Sequence, residues 1–203
     1  MVTLQLPDRE TLDQVVRMRQ RDGLDAKDEV WEGTYVVMPD PTPEHQLVVG
    51  RLQTIFTTLV DFRDLGTTYP GGNVSDRAED WRENYRCPDV LVFLNGNAAV
   101  QHPAHWEGGP DLLVEVVSPG DRSREKLDFY ADLGVREFLV IDRGPWRLEL
   151  YEPTRDRVGP VAVAVPGERS FETTVVPAAW SLTSQNGDRP KVRVEGGGQS
   201  WSF

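Results

Sequence analysis

"GPDLLVEVVSPGDRSREKLDFYADLGVREFLVID" (residues 109–142) contains two apolar runs separated by a helical stretch, and the first run carries a glutamate, Glu115, in its middle. Side chains alternate faces along a strand, so Leu113, Glu115 and Val117 share one side while Leu112, Val114 and Val116 take the other. Glu115 is thereby placed at core depth. An ionised carboxylate buried without a partner is costly enough that it would neutralise, so a partner or a metal is expected beside it. From Ser123 onward Leu127, Tyr130, Ala131 and Leu133 fall on one helical face, and Gly134 stands where a C-terminal cap belongs. "VREFLVID" then reads as a strand.

Working outward, "CPDVLVFLNG" (residues 87–96) is a β-rich run closed by an Asn-Gly turn signal, and "PDLLVEVVSPG" is a second run closed by Ser-Pro-Gly. The two are expected to be neighbouring strands. Residues 95–109 between them exceed the roughly two to five residues of a hairpin loop, so a functional flap or mobile excursion is expected there. Upstream, residues 9–21 carry Leu12, Val15 and Val16 at helical spacing behind a Thr11/Gln14 capping box, and residues 29–38 read as a small hairpin. "PDPTPEHQLVVGRLQTIFTTLVDF" (residues 39–62) puts Leu47, Val48, Leu52, Ile55, Phe56, Leu59 and Val60 on one face of an amphipathic helix. Downstream, "WRLELYE" follows through "RGP", with "VAVAVP" and "KVRVE" as later strands. The glycines of residues 196–198 open a loose tail ending in Trp201 and Phe203. This order predicts a mixed α/β domain around one sheet, occupying residues 1–195, with residues 196–203 as a C-terminal tail.

Composition sets outer limits on function. A chain of 203 residues with 38% hydrophobic and 27% charged residues belongs to the folded, soluble class and is the length of one domain. The opening "MVTLQLPDRE" has neither a basic segment nor an apolar one, and no stretch approaches the roughly 20 apolar residues that span a bilayer. A cytoplasmic address with no membrane contact is expected. Cys87 is the single cysteine, which excludes an intrachain disulfide and fits a reducing compartment. A net charge of −11 argues against a surface that attracts phosphate everywhere, leaving Arg82 with Arg86, and Arg122 with Arg124 and Lys126, as short basic clusters. Such clusters are more often solvated charges on exposed faces than contacts to nucleic acid. His102 and His105 with Cys87 lack the paired four-ligand spacing of a zinc site. Ser118 lacks the Gly-x-Ser-x-Gly setting of a hydrolase nucleophile, and no phosphate-binding GxxxxGK[ST] loop is present.

The chemistry converges on two carboxylates. Asp89 follows Pro88 at the start of the run preceding the Glu115 strand, and if these strands pair, their spacing of about 4.8 Å brings both groups to one point. Two like charges about 4 Å apart repel by roughly 4 kcal/mol at an effective dielectric of 20. A divalent cation reverses that penalty. Magnesium takes one or two carboxylates with waters and phosphate oxygens completing its shell, and it serves phosphodiester hydrolysis by activating water and stabilising charge. Lys126, one turn before Tyr130 on the following helix, is positioned to supply further positive charge.

These residues carry a family resemblance. "PD" at Pro88 and Asp89 followed by "VEV" around Glu115 resembles the PD-(D/E)XK nuclease superfamily, and "DLLVEVVSPGDRSREKLDFYADLGVREFLVID" resembles the bacterial restriction endonuclease family called Uma-two. The similarity spans about residues 29–152. It implies a restriction-endonuclease-like core in which helices flank a mixed central sheet in the order α-β-β-β-α-β, here with an added N-terminal helix and hairpin. It also implies Asp89 and Glu115 as metal ligands, Mg²⁺ or Mn²⁺ as cofactor, and Glu44 or His45, at the start of the long helix, as a further polar active-site residue. The superfamily pattern places a lysine two residues after the glutamate. Val117 stands there, and Lys126 is read as its replacement from the following helix.

Two readings result. The first is a magnesium- or manganese-dependent endonuclease, acting on DNA by resemblance, in which Asp89 and Glu115 bind metal, Val116 lends a backbone carbonyl, and Lys126 orients water or stabilises charge. A homodimer suits it, because two strand cleavages favour two sites. The second is a non-catalytic module that keeps the nuclease fold for nucleic-acid or protein interaction, supported by Val117 and the acidic balance.

Overall fold

The strand that carries Glu115 lies at the centre of the molecule. The computed structural model describes residues 2–3, 9–117, 122–154, 156, 159–183 and 189–203. In chain order its elements begin β1 (Val2–Thr3), α1 (Arg9–Arg21), β2 (Glu29–Trp31), β3 (Thr34–Val37), α2 (Pro43–Leu59), β4 (Gly66–Tyr69), β5 (Val74–Ser75), β6 (Tyr85–Arg86) and β7 (Val90–Leu94). They continue with β8 (Val100–Gln101), β9 (Trp106–Glu107), β10 (Leu112–Val117), α3 (Leu127–Asp132), β11 (Glu137–Arg143), β12 (Trp146–Tyr151) and β13 (Ala162–Ala164). β14 (Phe171–Thr173), β15 (Ala178–Thr183), β16 (Lys191–Gly196) and β17 (Gln199–Ser202) complete the chain.

Six strands form the central sheet in the order β13-β12-β11-β10-β7-β4. β10 pairs antiparallel with β7 and parallel with β11, and a parallel neighbour needs a crossover, which the Ser123–Lys126 3-10 turn and α3 provide. The succession α2-β4-β7-β10-α3-β11 is the expected α-β-β-β-α-β core. α2 covers one face, where Val48, Leu52, Ile55, Phe56 and Leu59 pack on Val90, Val92, Leu112, Val114, Val116, Leu139 and Ile141. The opposite face, with Leu91, Leu113, Val117, Phe138 and Val140, packs on Tyr130, Val135 and Val74. β10 is buried along its whole length because both of its faces are covered, and Glu115 belongs to the second face.

Two smaller sheets enlarge this core. One, ordered β1-β3-β2-β6-β5-β9-β8, brings the β2–β3 hairpin against the Glu115 face. The other, β14-β15-β16-β17, is an antiparallel meander whose Trp180, Val192 and Val194 join the core under α2. Among the described residues no helix is long and apolar enough to cross a membrane.

Several expectations are corrected. α1 begins at Arg9, so Thr11 lies inside its first turn instead of capping it. Leu47 is 51% exposed, since it sits about 100° around α2 from Val48, off the buried stripe. The 95–109 connection is a β8–β9 hairpin, tied to the second sheet by the parallel β5–β9 pairing, not a free flap. Residues 196–203 also leave the role of tail: Gly197 and Gly198, both at positive φ, turn the chain into β17, and the Phe203 backbone bonds Val192. β4 had no signal of its own, because "GTTY" is a four-residue edge strand with one aromatic residue. The Ser-Pro-Gly closure after β10 and Ser118 lie outside the described residues, as does the side chain of Leu12.

Trp180 is fully buried, its ring centroid 5.9 Å from that of Phe56. Trp180→Ala is expected to cost about 3–5 kcal/mol in urea unfolding, whereas Leu47→Ala should stay within about 0.5 kcal/mol of the parent. Equal losses would contradict this assignment of the core.

Candidate active site

Pro88 and Asp89 lead into β7, and the register Leu113↔Leu91 and Val114↔Val90 brings Asp89 beside the middle of β10. The Asp89 N–H donates to the Val114 carbonyl, and Asp89 Oδ2 accepts the Val116 N–H at 2.9 Å. The two carboxylates predicted to converge are thus joined through the backbone on both sides of Glu115. Asp89 Oδ2 also meets His45 Nε2 at 3.1 Å. His45 is fixed because Thr42 caps α2 and its Oγ1 accepts the His45 N–H. His45 Nδ1 is buried without a partner among the described residues. Glu44 points elsewhere, its two oxygens paired with Arg143 at 2.9 Å and Arg189 at 3.0 Å. Of the two helix-start candidates, His45 is the one brought to Asp89.

Glu115 is held from the other side. Its Oε1 accepts from Lys126 Nζ at 2.8 Å and from the Tyr130 hydroxyl at 2.9 Å, two donors one helical turn apart on one face. Lys126 Nζ also donates to Glu29 Oε1 at 2.7 Å. Glu29, on β2, further accepts the Cys87 N–H at 2.9 Å and Trp31 Nε1 at 2.6 Å. Lys126 and Glu29 are both 0% exposed. Glu29 and Tyr130 were missed as members of the site. The pattern "DEVWEG" showed a hairpin only, and a tyrosine on the apolar face of a helix reads as core.

The electrostatics separate the two carboxylates. Burial opposes ionisation of Asp89, but His45, the Val116 N–H and the charge of Lys27 outweigh it and hold that carboxyl below its usual range. Burial pushes Glu115 up to about 8 against the pull of Lys126, with the charges of Asp89 and Glu29 adding to the rise. Burial also works against the Lys126 charge, but Glu115 and Glu29 overcome it and keep the ammonium protonated. Two carboxylates, Glu29 and Glu115, therefore share one fully buried lysine, and the charge of Asp89 is felt at Glu115 beside them. Among the described residues, no donor reaches Asp89 Oδ1 or Glu115 Oε2.

Among the described residues no three His, Cys, Asp or Glu side chains form a metal-binding group. Two carboxylates, each anchored by one oxygen with the other unused, nevertheless suit a hard cation whose remaining ligands are water and substrate. Other candidates are absorbed by packing. His102 and His105 stack at 4.6 Å, and His105 stacks on Trp81 at 4.7 Å. Cys87 is buried, which pushes its thiol up. The short basic clusters do not form an open patch. Arg86 is buried and donates to the Val30 carbonyl, Arg124 pairs with Asp142 and Glu149, and Arg122 pairs with Glu125.

Comparison with known proteins gives a matching picture. The family model Uma2, described as "Putative restriction endonuclease", matches residues 12–185. A crystal structure from Anabaena variabilis, titled as a "putative nuclease belonging to DUF820", is 15% identical and superposes with a TM-score of 0.57 over 72% of this chain and 80% of that one. No curated protein matches.

Without divalent metal, Lys126→Met is expected to lower the unfolding free energy by about 3–5 kcal/mol, because Glu29 and Glu115 then face each other buried and uncompensated. Glu115→Gln keeps the acceptor for Lys126 and Tyr130 and removes a repelled charge, so it should melt at or above the parent temperature. The folded Glu115 carboxyl holds its proton more tightly than the unfolded chain does. Its stabilising share is complete below the unfolded pKa and lost as pH rises through about 8. The advantage of Gln should therefore grow between about pH 5 and about pH 9 in thermal melts in EDTA. A Gln variant less stable than the parent at both ends would contradict this charge balance.

Proposed function

The chain belongs to the Uma2 family, and from that premise we propose that it is a divalent-cation-dependent endonuclease hydrolysing phosphodiester bonds in DNA. The observation that carries the reading is the paired arrangement of Asp89 and Glu115, each fixed through one oxygen and each with a second oxygen that no donor among the described residues reaches. In this reading the two carboxylates and the Val116 backbone carbonyl hold Mg²⁺ or Mn²⁺. The cation supplies activated water and charge stabilisation at the scissile phosphate.

The remaining residues set up that site. His45 and the Val116 N–H orient the Asp89 carboxylate and keep it ionised, which a cation ligand requires. Lys126 and Tyr130 grip one oxygen of Glu115, and Glu29 anchors Lys126 while holding the Cys87 N–H just ahead of Pro88. Lys126 thus acts by positioning Glu115. Glu44 fixes the start of α2 through Arg143 and Arg189. The single buried cysteine suits a cytoplasmic protein, and a twofold dimer would present one site to each strand of a duplex. Val117, 1% exposed at the position of the motif lysine, favours a second reading, a non-catalytic module that keeps the fold for interaction.

One pair of measurements separates the readings. Isothermal titration with Mn²⁺ should give a binding heat for the parent and none for Asp89→Ala, and the parent should nick supercoiled plasmid in Mg²⁺ or Mn²⁺ while Asp89→Ala does not. Absence of Mn²⁺ binding by the parent would remove the endonuclease reading and leave the interaction module.

A further inference from the structure

Phosphodiester cleavage beside a divalent cation is further assisted by a positive side chain that can touch the phosphate, and Lys126 does not meet that condition. Its ammonium is 0% exposed and committed to Glu29 and Glu115 at 2.7 and 2.8 Å. Contact with substrate would require it to abandon both carboxylates and leave them buried with neutral donors only.

A second lysine meets the condition. Lys27 stands two residues before Glu29, partly exposed, and among the described residues it makes no hydrogen bond or ion pair. Its ammonium lies beside Gly71, 2.7 Å from where a Cβ on that residue would stand; the same point is 3.3 Å from the Pro88 carbonyl and 3.8 Å from the Asp89 carbonyl. Gly71 has φ of +84°, a conformation that suits glycine, and its missing side chain leaves open the gap between the Lys27 ammonium and the Pro88–Asp89 turn. The charge of Lys27 is felt at Asp89 and at Cys87. His45 also reaches Asp89, but spends Nε2 on that carboxylate.

Building on the nuclease reading, we infer that Lys27, entering past Gly71, is the catalytic cation that contacts the scissile phosphate. It takes from the hairpin side the place that Val117 leaves vacant in the β10 motif. An uncommitted lysine at this point is a compact charge with three rotatable donors, suited to a phosphate oxygen. Preorganised charge of this kind is worth roughly a hundredfold or more in turnover.

The test compares Lys27→Met and Lys27→Arg with the parent by four readouts: melting temperature, Mn²⁺ titration, anisotropy of a fluorescein-labelled duplex in Ca²⁺, and plasmid nicking in Mn²⁺. Lys27→Met should melt like the parent, because no protein partner is lost, and should bind Mn²⁺ as tightly or more tightly, because a charge that repels the ion is gone. Its duplex affinity should fall severalfold and its nicking about 100-fold, with Lys27→Arg recovering part of both. Nicking by Lys27→Met within threefold of the parent overturns the inference while leaving the nuclease reading in place. Loss of Mn²⁺ binding or of melting temperature in Lys27→Met also overturns it, by showing a structural role. A parent that binds Mn²⁺ and duplex but never nicks refutes the nuclease reading and this inference with it.

Discussion

The structure depends on how a fully buried ammonium is compensated. Lys126 Nζ sits between Glu29 and Glu115 and links the β2–β3 hairpin, the central strand β10 and the start of α3. Remove that charge and two carboxylates remain in a medium where each costs several kcal/mol. Keep it and the hairpin is bound to the sheet by the same bonds that orient Glu115. The Cys87 N–H bond to Glu29 extends the link to the turn that presents Asp89, so the fold and the candidate site share one set of contacts.

That sharing explains the uneven charge. Asp89 is held ionised by His45 and a backbone N–H, whereas Glu115 carries a raised pKa under burial and two like charges. Carboxylates whose environments push their pKa values apart are characteristic of chemical sites. A core designed for stability alone would favour apolar side chains here, as the flanking Leu113 and Val117 do. Instead the cluster keeps buried polar groups in fixed positions around Lys126.

Much of the core could be read from local sequence, because its elements follow periodicity. Alternation placed Glu115 opposite Val114 and Val116, the 3.6-residue stripe of α2 identified Val48, Leu52, Ile55, Phe56 and Leu59, and Gly134 marked the end of the second helical segment, where it has φ of +77°. Leu47 broke the pattern because it is apolar at the edge of the stripe. The short strands of the two smaller sheets were poorly legible: β4, β5, β6, β8 and β9 are two to four residues long, too few for alternation to register, and they exist because neighbours complete their hydrogen bonds. Asp89 and Glu115 were legible as a pair because the strands that carry them are consecutive long β-runs.

By itself the sequence determined the order of the main elements, the depth of Glu115 and the candidacy of Asp89, since these follow from side-chain alternation and helical spacing within a few residues. Tertiary structure alone decided which distant groups meet. Glu29 reaches Lys126 across 97 positions and His45 reaches Asp89 across 44, while Lys27 comes to rest beside Gly71. Such meetings depend on strand register and on how the hairpin seats against the sheet. Those are fixed by packing over the whole molecule, so no short stretch of sequence encodes them.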